Sequence, residues 1–271
     1  MDFKEYQAIR AINATAIKAG AVSMKHMHAI MTGEQKQQTA AMRWGSLVHS
    51  SVLENKWFAV FDGAARKGKE WEAFKADHEQ DDIVTQSEQE KLDEIRLAVF
   101  ANPDAKRLIE SSRIELSLKW EDPGYGKAKA RLDGFGEYGV IEVKTTSKIT
   151  PGMFAKQFVG MGYDIQCGWY CEGQMIVAGA NSLPACHIIA IESAQPFDVV
   201  VYRVPEMVVR VGFSKARKIA MAYRRAEAAG VFDGVSSGIS ELIMPAWYGE
   251  NDVMEAFAEA SAAALFGELE E

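Results

Sequence analysis

Alternating apolar and polar residues in the middle of the chain predict three neighbouring β-strands. Residues 113–120 (RIELSLKW), 127–135 (KAKARLDGF) and 140–146 (VIEVKTT) each alternate, and two turn-forming segments, DPGYG and GEYG, separate them. Successive side chains of a strand point to opposite faces, so Glu142 and Lys144 share one face of the third strand. The pattern therefore predicts a sheet on which charged side chains of neighbouring strands face the same way.

The turns between these strands predict which charged residues lie opposite one another. Pairing that is symmetric about GEYG places Asp133 across from Glu142, and pairing that is symmetric about DPGYG places Glu115 across from Asp133. Directly opposed side chains have Cβ atoms roughly 4.5–5.5 Å apart, and like charges there destabilise a sheet. We therefore expect a positive group beside these three carboxylates. The alternative is a solvated strand face that carries ordinary alternating charges.

A hard divalent cation is one such positive group. Mg²⁺ binds one or two carboxylates together with waters and substrate phosphates, and it can activate water for attack on a phosphodiester. Lys144 follows Glu142 by two residues on the same strand face, so it would lie near the same ion. An ammonium there can orient the attacking water or stabilise charge on the phosphate.

Helical patterns flank the predicted strands on both sides. A predicted helix over residues 39–53 carries His49 on an apolar stripe, and a helix over about 164–177 places Gln166 and Tyr170 on one face. A hydrogen-bonded core histidine and a core aromatic are the ordinary interpretations of these residues. The other predicted elements are a helix capped by Asn13, a helix opened by the capping box Ser87/Glu90, a helix opened by Thr150 and Pro151, strands over 185–193 and 197–204, and a helix from Pro205 to about Ala228.

Strands and helices in this order predict an α/β fold with a mixed central β-sheet flanked by helices. The chain has 271 residues, 48% of them hydrophobic, which suffices for one sizeable core. No internal repeat or low-complexity linker divides it. We expect a single domain over 1–271, with a mainly helical part at 1–112, a part with the catalytic sheet at 113–204 and a helical part at 205–271.

Composition and charge exclude several classes of protein. A net charge of -8 and a pI near 5.3 argue against coating of nucleic acid through the overall field, so any DNA contact must be local. No signal peptide and no run of 18 apolar residues is found, and we expect a cytoplasmic protein that does not bind membranes. Three cysteines, Cys167, Cys171 and Cys186, are too few for a four-cysteine zinc or iron–sulfur site.

Several of these residues resemble the motifs of one nuclease superfamily. Asp133 followed by Glu142-Val143-Lys144 resembles the Asp…(Asp/Glu)-x-Lys signature of the PD-(D/E)XK nucleases. MRWGSLVHSSVLE (42–54) resembles the histidine helix of the branch that contains RecE (exonuclease VIII) and RecB. YDIQCGWY (163–170) resembles the Gln-x-x-x-Tyr helix of the same branch. The resemblance extends over most of residues 10 to 250 and implies a restriction-endonuclease-like core.

The resemblance also implies an activity and a role for each residue. It implies a Mg²⁺-dependent exonuclease, with Mn²⁺ as a substitute metal, that degrades linear duplex DNA from 5′ to 3′ and leaves 3′ single strands for recombination by annealing. The metal would be held by Asp133, Glu142, the backbone carbonyl of Val143 and His49, with Glu115 as a further carboxylate. Lys144 would complete the catalytic set with Asp133 and Glu142. Gln166, Tyr170 and Arg131 would contact or position the substrate, and for Arg131 a cross-strand ion pair is equally compatible with the pattern.

The implied partners are double-stranded DNA ends, a single-strand annealing protein and further copies of the chain in a ring. The implied setting is a phage or prophage gene expressed in a bacterial host cell. Two alternatives remain from the sequence: another PD-(D/E)XK nuclease, acting as a single-strand exonuclease or endonuclease, and a catalytically inactive module that binds DNA ends.

Overall fold

The structure is a computed structural model that describes residues 1, 3–34, 39–63, 65–78 and 83–244. Residues Met1–Val235 form one compact unit, and Ser236–Glu271 form a second. The predicted C-terminal helical part contains a helix over Glu206–Ala229, and its acidic, Ala-rich end from residue 249 lies outside the described residues. The interpretation of 1–271 as one domain stays a prediction. Elements of the described residues are α1 (Phe3–Ala8), α2 (Ala14–Gly20), α3 (Met24–Thr32), α4 (Ala40–Leu53), β1 (Ala59–Phe61), α5 (Gly68–Asp77), β2 (Ile83–Thr85), α6 (Gln86–Ala101), α7 (Pro103–Glu110), β3 (Ser112–Asp122), β4 (Gly126–Gly136), β5 (Gly139–Thr146), α8 (Pro151–Gly160), α9 (Tyr163–Ala178), β6 (Cys186–Glu192), β7 (Val199–Val204) and α10 (Glu206–Ala229).

The central sheet has five strands in the order β3-β4-β5-β6-β7. β5 and β6 pair in parallel and the other three pairs are antiparallel, so the predicted mixed sheet is confirmed. Two further short strands, β1 and β2, pair with each other in a separate parallel ribbon. The central sheet therefore contains the three predicted strands and the two later ones.

The strand registers follow the turn positions, with one interruption. β3 and β4 pair from Ser112↔Gly136 to Asp122↔Gly126, which is the predicted register. Glu115 is absent from this ladder because its backbone is left-handed, with φ 55°. Such a conformation costs a non-glycine residue on the order of 1–3 kcal/mol and is concentrated at functional sites.

β4 separates from β5 soon after the turn that joins them. Their ladder has the predicted register but ends at Gly134↔Ile141, so Asp133 and Glu142 are not a ladder pair. The vacated edge of β4 binds the chain before α2 instead: Ile12 N–H donates to Lys127 (3.0 Å) and its carbonyl accepts from Lys129 N–H (2.8 Å). The expected straight row of three opposed carboxylates is therefore replaced by a gap between β4 and β5.

Helices cover both faces of the sheet, which explains the apolar residues on both faces of β5 and β6. One core cluster includes Ile188 and Ala190 with residues of α2, α9 and α10. The other includes Ile189 and Ile191 with residues of α4, α6 and α7. The predicted α/β layering is confirmed, and the gap between β4 and β5 can be reached from α4 on one side and from α2 and α9 on the other.

Most predicted helix starts are confirmed, but one capping box is wrong. Asn13 caps α2, accepting from Ala16 N–H at 3.0 Å. The predicted box Ser87/Glu90 is instead formed by Thr85 and Glu88, because β2 leads directly into α6 and the helix starts at Gln86. The three cysteines are buried free thiols. No helix in the described part of the chain is both long and apolar enough to cross a membrane.

Candidate active site

The gap between β4 and β5 contains Asp133, a buried carboxylate of β4. Its Oδ2 accepts a hydrogen bond from the backbone N–H of Val143 at 2.7 Å. Burial raises the pKa of Asp133, and the ammonium of Lys144 and the bond from Val143 only partly offset this. Lys144 and the Val143 N–H therefore do not fully offset the cost of burying a negative charge on Asp133.

Glu142 of β5 is fully buried on the face of the sheet that packs against α9. Its Oε2 accepts from Lys144 Nζ and from Gln166 Nε2, each at 2.7 Å. Its Oε1 is buried and receives no hydrogen bond from any described residue. Burial, followed by the nearby charge of Asp133, raises the pKa of Glu142 to about 7. An orphaned buried carboxylate oxygen requires a partner, because an unsatisfied charged group is costly.

His49 reaches the same gap from α4 on the opposite side of the sheet. Its Nε2 lies 2.8 Å from the carbonyl oxygen of Val143 and 3.5 Å from Asp133 Oδ2. Burial lowers the pKa of His49, as does the Lys144 ammonium, so the imidazole is neutral near pH 7. Gly45, one turn earlier, faces β5 as well: a Cβ there would lie 3.6 Å from Thr145 Oγ1, an ordinary van der Waals distance.

Glu115 lies on the β3 side of the gap and is paired with Arg131. The Arg131 guanidinium contacts Glu115 Oε2 and donates to Ser117 Oγ at 2.7 Å. It also lies over the ring of Phe3, 5.3 Å from the centroid. Burial raises the pKa of Glu115, and the bond from Arg131 acts against this. Arg131 thus forms the ion pair that the sequence left open, and its contact with a phosphate stays a prediction.

These residues fit a divalent metal ion. Ligand atoms of His49, Glu115 and Asp133 all lie within 4.8 Å of one another. The orphaned Oε1 of Glu142 adds an unsatisfied oxygen, and carboxylate oxygens are the ligands that Mg²⁺ and Mn²⁺ prefer. Two buried carboxylates with raised pKa values need more positive charge than Lys144 alone supplies.

Lys144 and the α9 residues complete the polar cluster. Burial acts to lower the pKa of Lys144, but the carboxylates of Glu142 and Asp133 outweigh it and raise the pKa, so this ammonium stays charged. Gln166 Nε2 also lies 3.2 Å from the hydroxyl oxygen of Tyr170. The structure therefore brings Gln166 and Tyr170 to Glu142, while their contact with substrate stays a prediction.

A family model described as a PDDEXK-like domain of unknown function (DUF3799) matches residues 13–240, a range that contains every residue of this cluster. The chain belongs to this family. The predicted membership of the PD-(D/E)XK superfamily and the predicted core fold are confirmed. No curated protein sequence matches the chain.

Solved structures to which this chain is similar include proteins described as exonucleases. A candidate exonuclease from Eubacterium rectale is 14% identical with a TM-score of 0.65, over 95% of this chain and 98% of that one. An alkaline exonuclease from Laribacter hongkongensis is 13% identical with a TM-score of 0.37, over 84% and 98% of the two chains. The same enzyme in complex with dAMP gives 13% and 0.38, over 83% and 96%. At these identities the first comparison shows a shared fold, and the lower TM-scores add no further argument.

The sequence does not indicate the contacts of two lysines in this PDDEXK-like domain, Lys18 and Lys129. Lys18 of α2 donates to Gln166 Oε1 at 3.3 Å, although 148 positions separate the two residues. Lys129 of β4 is buried beneath α1 and donates to the carbonyl oxygens of Tyr6 (2.9 Å) and Ile9 (2.8 Å). Lysine at these positions predicts only a solvated charge, because no local pattern encodes a contact between distant elements.

An open cleft leads to His49 and Glu115, two members of the candidate metal-binding cluster of the PDDEXK-like domain. Its volume is about 720 Å³, and α1, α4 and the strands β3 and β4 contribute to its walls. Cationic and aromatic side chains line this cleft beside acidic ones, although the net charge of the chain is -8. The lining residues include Phe3, Arg43, His49, Lys56, Phe58, Glu115 and Arg131.

Proposed function

We propose that this PDDEXK-like protein is a metal-dependent exodeoxyribonuclease that degrades linear double-stranded DNA from 5′ to 3′. The observation that supports this most directly is the convergence of ligand atoms of His49, Glu115 and Asp133, and the buried, unsatisfied Oε1 of Glu142 on β5 is compatible with it. Carboxylates, a neutral imidazole and a charged lysine at the end of an open cleft are the groups that metal-assisted phosphodiester hydrolysis requires.

Asp133, Glu142 and His49 hold the metal in this proposal, together with the carbonyl of Val143. In the observed contact His49 Nε2–H donates to that carbonyl oxygen, so binding of a metal would require the imidazole proton on Nδ1 instead, which frees Nε2 and the carbonyl oxygen as ligands. Glu115 supplies a further oxygen ligand or holds a metal-bound water. When bound, the divalent cation polarises a phosphoryl oxygen and lowers the pKa of water.

Lys144 donates hydrogen bonds to the attacking water or to a phosphate oxygen. Its charge is maintained by Glu142, whose Oε2 it contacts at 2.7 Å. This contact leaves the other two ammonium hydrogens available in the gap, because an ammonium has three donors. Negative charge develops on the phosphate oxygens during attack, and a fixed cation beside them stabilises the transition state more than the ground state.

The cleft binds the DNA backbone in this proposal. Lys56 lines it together with Arg43 and Arg131, which are paired with Glu88 and Glu115 and would have to share or exchange these partners to contact phosphates. The rings of Phe3 and Phe58 in the same cleft suit stacking on the bases of a separated strand. The 5′ polarity, the annealing partner, the ring of subunits and the phage setting are carried over from the RecE-like motifs.

Digestion of end-labelled linear DNA tests the proposal. Linear duplex labelled at the 5′ or the 3′ end is incubated with Mg²⁺, with Mn²⁺ or with EDTA, beside a closed circular duplex and a Lys144→Ala control. The proposal predicts early release of 5′-labelled mononucleotides with metal only, intact circles and no release by the control. Cut circles would identify an endonuclease, and early release of the 3′ label would reverse the polarity. Retention of DNA ends without cleavage in any lane would identify a binding module.

A further inference from the structure

The side-chain amide of Gln166 lies between a carboxylate and an ammonium. Its Nε2 donates to Glu142 Oε2 at 2.7 Å, and its Oε1 accepts from Lys18 Nζ at 3.3 Å. The three residues come from β5, α9 and α2, so the contact joins the sheet to two helices. Because Lys144 also donates to Glu142 Oε2, that oxygen has two donors and Oε1 is the oxygen left unsatisfied.

The charge of Lys18 selects one orientation of this amide. In the observed orientation a donor faces the carboxylate and an acceptor faces the ammonium. Rotation by half a turn would place Oε1 against the carboxylate and Nε2 against the ammonium, with no hydrogen bond on either side. The Tyr170 hydroxyl, 3.2 Å from Nε2, does not discriminate, because a hydroxyl both donates and accepts.

The fold provides a specific place for Lys18. Gly162, the residue before α9, has φ 64°, and a Cβ there would lie 3.2 Å from Lys18 Cγ and 3.3 Å from its Cδ. The absence of a side chain at Gly162 therefore makes room for the lysine stem. Lys18 Nζ lies 5.6 Å from the centroid of the Tyr163 ring, and Lys144 Nζ lies 5.4 Å from the same centroid. The space beside Gly162 and the contact with the Tyr163 ring therefore hold the Lys18 side chain in one place, whereas a lysine on an open surface has no such contacts.

We propose that Lys18 is a positioning residue for the metal site: it orients the Gln166 amide, which then holds Glu142 Oε2 and leaves Oε1 directed to the metal. The inference rests on the proposed function, because it assigns Glu142 to the metal. Lys18 acts through two intermediate side chains and touches neither metal nor substrate. Outer-shell partners of this kind typically change metal affinity by about 10–100-fold when they are removed.

The direction in which Mn²⁺ affinity changes when Lys18 is replaced tests the inference. Removal of a nearby cation would by Coulomb's law alone strengthen the binding of a divalent cation. Positioning predicts the opposite: Lys18→Met, which keeps the apolar stem, weakens Mn²⁺ binding about tenfold in calorimetry without DNA. It also lowers kcat with little change in the KM for DNA. Lys25→Met on α3, which removes an exposed charge, is the matched control and should leave both quantities unchanged.

A double-mutant cycle with Gln166→Met shows whether Lys18 acts through the amide. If it does, Lys18→Met has no further effect on metal affinity in the Gln166→Met background. Equal effects in both backgrounds, unchanged or tighter Mn²⁺ binding by folded Lys18→Met, or a rise in KM alone would each overturn the inference. If Lys18→Met does not fold, Lys18→Leu takes its place, since it likewise removes the ammonium and keeps an apolar side chain, and weaker Mn²⁺ binding is again expected.

The two proposals fail in different ways. A wild-type protein that binds Mn²⁺ and cleaves no DNA would overturn the proposed function. A wild-type protein that cleaves DNA, beside a Lys18→Met variant with wild-type Mn²⁺ affinity and kcat, would overturn only the role of Lys18. Circular dichroism and thermal melts of each variant show that the comparison is made between folded proteins.

Discussion

The Asp133 carboxylate accepts a hydrogen bond of 2.7 Å from the backbone N–H of Val143, just beyond the end of the ladder between β4 and β5. The carbonyl of the same residue lies 2.8 Å from His49 Nε2. Both polar backbone groups of Val143 are therefore met by side chains at the edge that β4 has left. Where the two strands separate, the side chains of Asp133 and His49 take over the hydrogen bonds of the Val143 backbone. The same contacts bring these two proposed metal ligands together.

Asp133→Asn separates the structural role of this residue from its charge. The amide oxygen can still accept from Val143 N–H, so we expect the fold to persist and the melting temperature of the metal-free protein to stay equal or rise, because a buried charge is removed. Mn²⁺ affinity should fall by about 10–100-fold or more, and DNA cleavage should be lost. Calorimetry and thermal melts measure both effects. Wild-type Mn²⁺ affinity in the folded variant would remove Asp133 from the ligand set.

Lys144→Ala tests the catalytic cation without removing a proposed metal ligand. We expect kcat to fall by about 10²–10³-fold, which is the usual loss when one group that stabilises developing charge is deleted. Mn²⁺ affinity should be retained, since Glu142 keeps its bond from Gln166. Single-turnover cleavage and calorimetry are the measurements. Full activity in a folded Lys144→Ala protein would contradict the PD-(D/E)XK mechanism for this chain.

The raised pKa of Glu142 predicts how the stability of the metal-free protein changes with pH. Folding raises this pKa from the usual 4.5 to about 7, so between these values the native state holds more protons than the unfolded state. The stabilising contribution is complete below about pH 4.5 and is lost as the pH rises through about 7. Its size is on the order of 3 kcal/mol.

Melting curves in EDTA from pH 4.5 to 8 measure this contribution as the difference between wild type and Glu142→Gln. The variant should become more stable relative to wild type as the pH rises, because it has no carboxylate to ionise. His49 and Asp133 are present in both proteins but interact with Glu142, so the difference measures Glu142 together with its interactions with these two groups. A difference that does not change with pH would contradict the raised pKa.

Alanine substitutions at Thr85 and at Ser87 test which residue caps the start of α6. Thr85 Oγ1 accepts from Glu88 N–H at 3.2 Å and Glu88 Oε2 accepts from Thr85 N–H at 2.9 Å, whereas Ser87 is an exposed residue of the first turn. Thr85→Ala should lower the free energy of unfolding by about 1 kcal/mol. Ser87→Ala should change it by less than about 0.5 kcal/mol. Urea denaturation distinguishes the two, and equal losses would contradict the observed cap.

Local sequence patterns were sufficient for most elements of the sheet. Alternation places β3, β4 and β5, and the turns between them set both registers, since a short antiparallel connection leaves one pairing that keeps the apolar residues on the right face. Helical periodicity likewise places His49 on α4 and Gln166 with Tyr170 on α9. The capping box was missed by two residues because Ser87-x-x-Glu90 and Thr85-x-x-Glu88 overlap in sequence, and only the end of β2 selects between them.

The sequence by itself determined the fold class, the strand registers and the residues Asp133, Glu142 and Lys144 of the signature, because each depends on the periodicity and turn chemistry of a continuous segment. Tertiary structure alone decided that β4 leaves β5 at Asp133 and that Lys18 meets Gln166. These contacts join residues of separate elements, 148 positions apart for Lys18 and Gln166. They depend on how helices pack on the sheet, and no local pattern specifies that packing.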